Sequence, residues 1–316
     1  MAGFFIVEDD DELALGLPSG AQDVPLMLQD RRVTADGSFS YTPGPMDLLE
    51  GYLGEVALVN GVPDAQLTVA AAPYRFRLLN GSNARIFRVA FEDGRTFHVI
   101  AGDGGLLERP LPATQVFLAP GERAEIVVDL SREQGSRSVR MVSLPFTGGG
   151  TFAGGLPQGT ALSLLRLTVQ GSGPASVLPQ RLIRLPPLGR PEVARRFVMD
   201  MRMPPVPGNF WINGRSFDPT RVDTLVERGV VEEWEVFNAS AHPHPFHVHA
   251  TQFRVLSRSG GPLRPHEMGL KDTVLVWPGE SVKLAIRFER YAGVYVLHCH
   301  NLEHEDAGMM SNFEVR

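Results

Sequence analysis

The sequence predicts an all-β chain built from two related β domains, and three observations predict it. Glycine (33) and proline (25) break the chain into short runs rich in Val, Leu, Phe and Arg, the composition of strands separated by turns. Stretches such as YRFRLLN, AEIVVDL, VEEWEVFN and VKLAIRF largely alternate apolar and polar side chains, as strands with one buried face do. The chain also repeats itself: VNGVPDAQL…YRFRLLNGSNARIFRVAF…FLAPGERAEIVVDL is answered by WINGRSFDP…EEWEVFNASAHPHPFHVHA…LVWPGESVKLAIRF.

Taken in order, the first stretch, MAGFFIVEDDDE, has no basic start and only a short apolar run before its acids, so it does not read as a secretory leader and assigns no compartment. PMDLLEGYL is the best short helix candidate. Asn60-Gly61 then matches Asn213-Gly214, and Pro120-Gly121-Glu122 matches Pro278-Gly279-Glu280, a repeat of roughly 150 residues. Aligning FRVA with FHVH puts Arg88 and Ala90 where His247 and His249 stand, so only the second copy is built to hold metal. Between the copies, GSGPASVLPQRLIRLPPLGRPE suits an extended linker,. A chain of 316 residues is long enough to bury two cores of this kind. The net charge of -6, without a basic stripe, gives no footprint for nucleic acid. No run of eighteen apolar residues suggests a membrane span,.

The chemistry concentrates in two segments. Seven of nine histidines fall in AHPHPFHVH and HCHNLEH. Strand alternation throws His298 and His300 to one face and the single cysteine, Cys299, to the other. On the cysteine side, His304 and Met309 can converge as the following loop folds over, and His244 can enter from a neighbouring strand. Two imidazoles, a thiolate and a weak thioether form the donor set of a blue, electron-transferring copper site; zinc would leave the methionine unexplained. On the opposite face His298 and His300 meet a second same-face pair, His247 and His249, and suggest a second metal centre beside the first.

HPFHVH and HCHNLEHEDAGMM, together with GFFIVEDDDE, LPSGAQDVPLMLQDR, YRFRLLNGSNAR and KDTVLVWPGE, make the chain resemble the multicopper oxidases, in the branch of spore-coat laccases and bilirubin oxidases. The resemblance implies two consecutive cupredoxin-like Greek-key β-sandwiches: residues 43–170 without copper ligands, a linker at 171–190, and a copper-binding domain at 191–316. Residues 1–42 would be the last strand of a preceding domain plus a connection. It further implies that His244, Cys299, His304 and Met309 bind the type 1 copper, that His247 is a type 2 ligand, and that His249, His298 and His300 are type 3 ligands. Glu305 would assist proton delivery during dioxygen reduction; on its own it reads as a charged loop residue. The electron donor would be a small molecule or a metal ion.

The chain departs from that pattern in one respect. The family's trinuclear cluster takes eight histidines, four of them from two HxH motifs in its first domain, and here no histidine precedes His98. The spare histidines, His98, His242 and His266, are too few to replace them and form no HxH pair, so two-domain laccases and copper nitrite reductases are poor matches. The expectation is a laccase-like chain lacking the first cupredoxin domain, with dioxygen reduction dependent on another polypeptide for the missing half. The reading from a different class is a copper-binding electron carrier or storage module without turnover.

Other features read more plainly. His98, His242 and His266 are expected not to be ligands, and Met199, Met201 and Met203 are expected to pack in the ordinary way. The acids Glu8 to Glu12 read as a solvated terminus. Phe4, Phe5 and Ile6 lack the sheet they would complete, and should be unordered, packed on the body, or paired with another chain.

Overall fold

The computed structural model describes residues 2–133, 137–148 and 154–316. It consists of two β-sandwiches. In the first, a sheet containing Val56–Val59, Asp23–Val33, Pro73–Asn80, Arg123–Asp129, Phe97–Gly102 and Gly105–Ala113, in that order, faces one containing Gln115–Leu118, Phe87–Phe91, Arg137–Ser143, Leu162–Ser172 and Ala65–Ala71. In the second, Phe210–Ile212, Val193–Met201, Val231–Asn238, Ser281–Arg287, Phe253–Arg258 and Leu270–Lys271 face Thr224–Val226, Met310–Val315, Gly293–Cys299, His244–Val248 and Thr273–Val276. Each sandwich encloses its own apolar core, with Phe76, Phe87 and Phe97 in the first and Trp234, Phe246 and Phe313 in the second.

The repeat is visible down to single hydrogen bonds. Asn60 and Asn213 both take positive φ, at 52° and 55°, a conformation Asn tolerates better than most residues. Each side-chain carbonyl accepts an N–H from an earlier strand of its own sandwich, Met27 and Val198 respectively, both at 2.8 Å. Asn80 and Asn238 each donate to a carbonyl two residues before the Pro-Gly-Glu turn, Leu118 at 2.8 Å and Val276 at 3.1 Å. Glu122 and Glu280 each close that turn by accepting the N–H three residues back, at 2.8 and 2.9 Å.

These anchors correct two sequence expectations. Asp23–Val33 pairs in parallel with Pro73–Asn80 as Val193–Met201 pairs with Val231–Asn238. It is therefore the first strand of the first sandwich, and a boundary at residue 43 falls inside that domain. The FRVA/FHVH alignment is also off by two residues. Leu118 faces Phe87 where Val276 faces His244, and Ser143 faces Val89 where Cys299 faces Phe246. Phe87, Ala90 and Ser143 thus occupy the places of His244, His247 and Cys299.

The acidic start is solvated only in part: Glu8 to Asp11 are exposed, but Glu8 and Glu12 also reach buried cations. Pro73–Asn80 is buried on both faces, and its Arg75 and Arg77 need partners because an unpaired buried cation is costly. Glu12 meets Arg75 at 2.7 Å, and Glu8 and Asp23 meet Arg77 at 3.0 and 2.6 Å. The short helix Asp10–Ala14, N-capped by Asp9, carries Glu12 there. Residues 2–9 form neither strand nor helix, and Phe5 is 93% exposed. The expected helix in PMDLLEGYL is Pro45–Glu50. Met199 is buried, whereas Met203 is exposed. No described helix is long and apolar enough to cross a membrane.

The two sandwiches meet through charge as well as apolar contact. Lys271 of the second is fully buried, with Nζ 2.9 Å from Asp103 and 3.0 Å from Glu122 of the first. Beside it, Arg123 donates to both carboxylate oxygens of Asp272 at 2.6 and 2.7 Å. Replacing Lys271 by Ala leaves two buried carboxylates without their shared cation, which costs about 3–5 kcal/mol. Equilibrium urea unfolding of Lys271→Ala against the parent chain measures this, and a loss within about 0.5 kcal/mol contradicts it.

Candidate metal centre

The site is built on two adjacent antiparallel strands, His244–Val248 and Gly293–Cys299, with Phe246 opposite Cys299 and His247 opposite His298. Opposed residues share a face, so even positions from 244 to 248 join Cys299 in the core, and His247 joins His298 on the other side. One residue later the chain turns into the helix Leu302–Asp306, capped by Asn301, whose side-chain oxygen accepts the Glu303 N–H at 3.2 Å. The helix returns His304 beneath Cys299. The backbone then locks the loop: Met309 N–H donates to the His304 carbonyl at 2.9 Å and Cys299 N–H to the Met309 carbonyl at 3.0 Å.

The first cluster is dry. Cys299, His244, His304 and Met309 are all fully buried. Cys299 Sγ lies 3.4 Å from His244 Nδ1 and 3.6 Å from His304 Nδ1, and these two nitrogens are 3.1 Å apart. His304 Nε2 faces the Leu49 carbonyl at 3.2 Å. A carbonyl only accepts, so Nε2 carries the proton and Nδ1 presents a bare lone pair to the sulfur. His244 Nε2 is 2.7 Å from Ser240 Oγ. Burial drives the His304 pKa down to about 3 and holds His244 well below its usual value. Burial also pushes the Cys299 thiol far up, so without a metal the sulfur keeps its proton at neutral pH.

The second cluster is open. His247, His249 and His298 bring one nitrogen each within 4.8 Å of one another, and His249 Nε2 is 3.1 Å from His298 Nε2. His300 packs against them, its ring 5.4 Å from that of His247 and 5.6 Å from that of His298, although its nitrogens fall outside the close trio. Here too carbonyls fix the tautomers. His247 Nδ1 donates to the Asp272 carbonyl at 2.9 Å and His298 Nδ1 to the Cys299 carbonyl at 3.0 Å, which leaves each Nε2 bare. Burial lowers His247 to about 3 and also lowers His249 and His300. Glu305 sits 3.2 Å from His298 Nδ1; burial raises its carboxyl, but the His298 hydrogen bond and the electrostatic pull of His298, His300 and His249 together hold it below the usual range. A cleft of about 720 Å³, lined in part by His247, His249, Asp272 and Arg287, opens beside the trio.

In each cluster the donor atoms lie close enough to crowd one another unless a cation sits between them, and the carbonyl contacts of His304, His247 and His298 leave one ring nitrogen of each unprotonated. Thiol and imidazole donors fit copper better than a hard cation such as magnesium or calcium, and Met309 is buried in the same core as Cys299. Among the described residues, His98, His242 and His266 join neither cluster. Sequence reading missed the supporting groups. Leu49, Ser240 and Asp272 act through a carbonyl or a hydroxyl that no spacing announces, whereas Asn301 two residues before Glu303 is a legible helix cap.

Residues 33–154 and 191–316 each match the sequence pattern of the multicopper oxidases. The chain belongs to the multicopper oxidase family. It is 35% identical to a laccase of Haloferax volcanii over all of its own length and 56% of that protein's. It is 34% identical to the bilirubin oxidase of Albifimbria verrucaria, over 99% of itself and 57% of that enzyme. The crystal structure of the McoA multicopper oxidase from Aquifex aeolicus superposes with a TM-score of 0.88 at 34% identity, covering 98% of this chain and 70% of that one. The chain thus spans little more than half the length of these two curated relatives. Its two sandwiches are the cupredoxin-like units of a multicopper oxidase, and copper is the metal the family implies.

The depressed imidazoles make the metal-free protein acid-sensitive. His247 and His304 take up protons near pH 6.5 when unfolded but only near pH 3 when folded. Between those values the unfolded state binds more protons, so stability falls as pH falls, by up to ~1.4 kcal/mol per pH unit for each group. The slope of unfolding free energy between pH 6.5 and 4 is expected to shrink in His247→Gln, measured by urea titration with chelator present; an unchanged slope contradicts it.

Proposed function

We propose that this chain is a laccase-type oxidoreductase chain that accepts single electrons from a small-molecule or metal-ion donor. In this reading His244, Cys299, His304 and Met309 hold a type 1 copper, His247 a type 2 copper, and His249, His298 and His300 type 3 copper. Bound copper supplies one-electron redox chemistry. The observation that carries the reading is the joining of the two clusters by one backbone segment: Cys299 lies in the first cluster, and its neighbours His298 and His300 lie at the second.

The residues divide the work. The dry cluster excludes water and leaves no room for exchange of small ligands, which suits electron transfer. The open cluster borders a cleft large enough for a small molecule,. Glu305 holds the proton on His298 Nδ1 and so keeps Nε2 free; a carboxylate at that place also stands ready to pass protons toward the cleft. Four imidazoles are half of the set that a trinuclear cluster takes in this family. Dioxygen reduction by these residues alone is therefore weak, and the open side is where further donors would be added.

Copper loading tests this. One copper per chain is expected to give an intense blue absorption that Cys299→Ser abolishes. Because loading must expel the Cys299 proton, affinity rises with pH by about tenfold per unit across the neutral range, with one proton released per copper in weak buffer. A colourless copper-loaded chain sinks the proposal. Fast dioxygen consumption by the isolated chain sinks its claim of an incomplete cluster. A blue chain that oxidises no phenol or metal ion, even with an artificial electron acceptor, favours the electron carrier or storage module instead.

A further inference from the structure

Away from both clusters, a groove of about 680 Å³ lies where the first sandwich, the inter-domain segment and the second sandwich meet. One wall is the strand Gly105–Ala113, and the other is the segment around 181–185, which carries neither strand nor helix. The two are tied edge to edge: Leu182 N–H donates to the Glu108 carbonyl at 2.9 Å, and Leu185 N–H to its carboxylate at 3.2 Å. Met268, from the second sandwich, closes one end.

The lining has two chemistries. Its floor is apolar, with Leu107 and Leu182 buried and Ile183 and Met268 left 36% and 51% exposed. Its rim carries three exposed arginines, Arg109 on one wall and Arg181 and Arg184 on the other. Among the described residues none of the three has a hydrogen bond, ion pair or ring contact. Most arginines of this chain are engaged, including every one buried in the sandwiches, and the net charge is -6. Three guanidinium groups without a described partner surround one groove, and the carboxylate among its lining residues, Glu108, accepts the Leu185 N–H of the inter-domain segment.

Guanidinium groups recognise planar or tetrahedral oxyanions through paired N–H donors, and an apolar floor at a domain junction favours a ligand with a flat hydrocarbon body. We propose that this groove binds an amphiphilic oxyanion: an apolar, ring-sized body bearing a carboxylate, sulfonate or phosphate, with the head held by Arg181 and Arg184 and the body on Leu107, Leu182 and Ile183. A bare inorganic anion leaves the floor wet, and a neutral hydrocarbon leaves the arginines unanswered.

The test uses 8-anilinonaphthalene-1-sulfonate as probe, with N-phenyl-1-naphthylamine as its uncharged counterpart, in fluorescence and calorimetric titrations of the full chain. One saturable site is expected, weakened by added sodium chloride and bound at least about tenfold more tightly than the uncharged dye, as paired charge–oxyanion contacts require. Arg181→Gln/Arg184→Gln should weaken the sulfonate by about tenfold or more and leave the uncharged dye unchanged. Arg109→Gln, on the opposite wall, is an independent check in the same direction. Arg166→Gln/Arg228→Gln, exposed arginines elsewhere, should change nothing. Equal binding of the two dyes, or sulfonate affinity untouched by both groove variants, identifies an unspecific apolar patch and overturns the proposal.

Discussion

The two-residue period of one β-strand governs the rest of this structure. Because consecutive side chains leave a strand on opposite faces, the sequence His298-Cys299-His300 must serve two environments at once. Cys299 enters a sealed apolar core, and its neighbours reach an open cleft. The partner strand obeys the same rule: His244 accompanies Phe246 inward while His247 and His249 turn outward. A one-residue slip between these strands would exchange the two sets. The core contacts of Phe246 opposite Cys299 therefore hold the chemistry as well as the fold.

Alternation delivers the imidazoles, but it does not decide which nitrogen is bare. That is settled by carbonyl oxygens, which can only accept. Leu49 fixes His304, Asp272 fixes His247, and Cys299 fixes His298. Two of these constraints depend on the sandwich that carries no donors. Leu49 lies on its helix Pro45–Glu50, and Asp272 is gripped by its Arg123. Glu303, next to His304, is likewise clamped by Tyr41, Tyr52 and Asn83 from that domain. The first sandwich is thus the outer frame of the site.

What could be read from the sequence was whatever obeys a short period. HPFHVH and HCHNLEHEDAGMM announce by spacing the side chains that the fold gathers into two clusters, and the Asn-Gly and Pro-Gly-Glu turns announce the duplication because each is a local backbone device. The groups that tune the site answer no period. The Leu49 carbonyl belongs to a residue type without polar side-chain chemistry, and Asp272 acts on His247 through its main chain. The strand Asp23–Val33 escaped recognition because its partner lies some fifty residues on and its sequence, DVPLMLQDRRV, mixes charge into both faces. The acids Glu8 and Glu12 look solvated until Arg75 and Arg77 are seen to be buried, an outcome of a sheet covered on both faces that alternation alone does not show. The five-residue helix carrying His304 is too short for any helical periodicity.

The comparison between the copies bears on how the site arises. The same backbone nodes recur in both, Asn60 with Asn213, Asn80 with Asn238 and Glu122 with Glu280, at hydrogen-bond lengths that differ by no more than 0.3 Å. Yet at the positions of His244, His247 and Cys299 the first copy has Phe87, Ala90 and Ser143. Phe87 is fully buried and Ser143 nearly so, so the core closes there with no metal at all. The sandwich therefore draws its stability from apolar burial and these shared turns, with the donors added to an architecture that stands without them. In zinc fingers, by contrast, ligand binding supplies the folding energy. Here the order is reversed: the folded frame brings the imidazoles together before any cation is present, and burial lowers the pKa values of His244, His247, His249, His300 and His304 at a cost borne by the rest of the core.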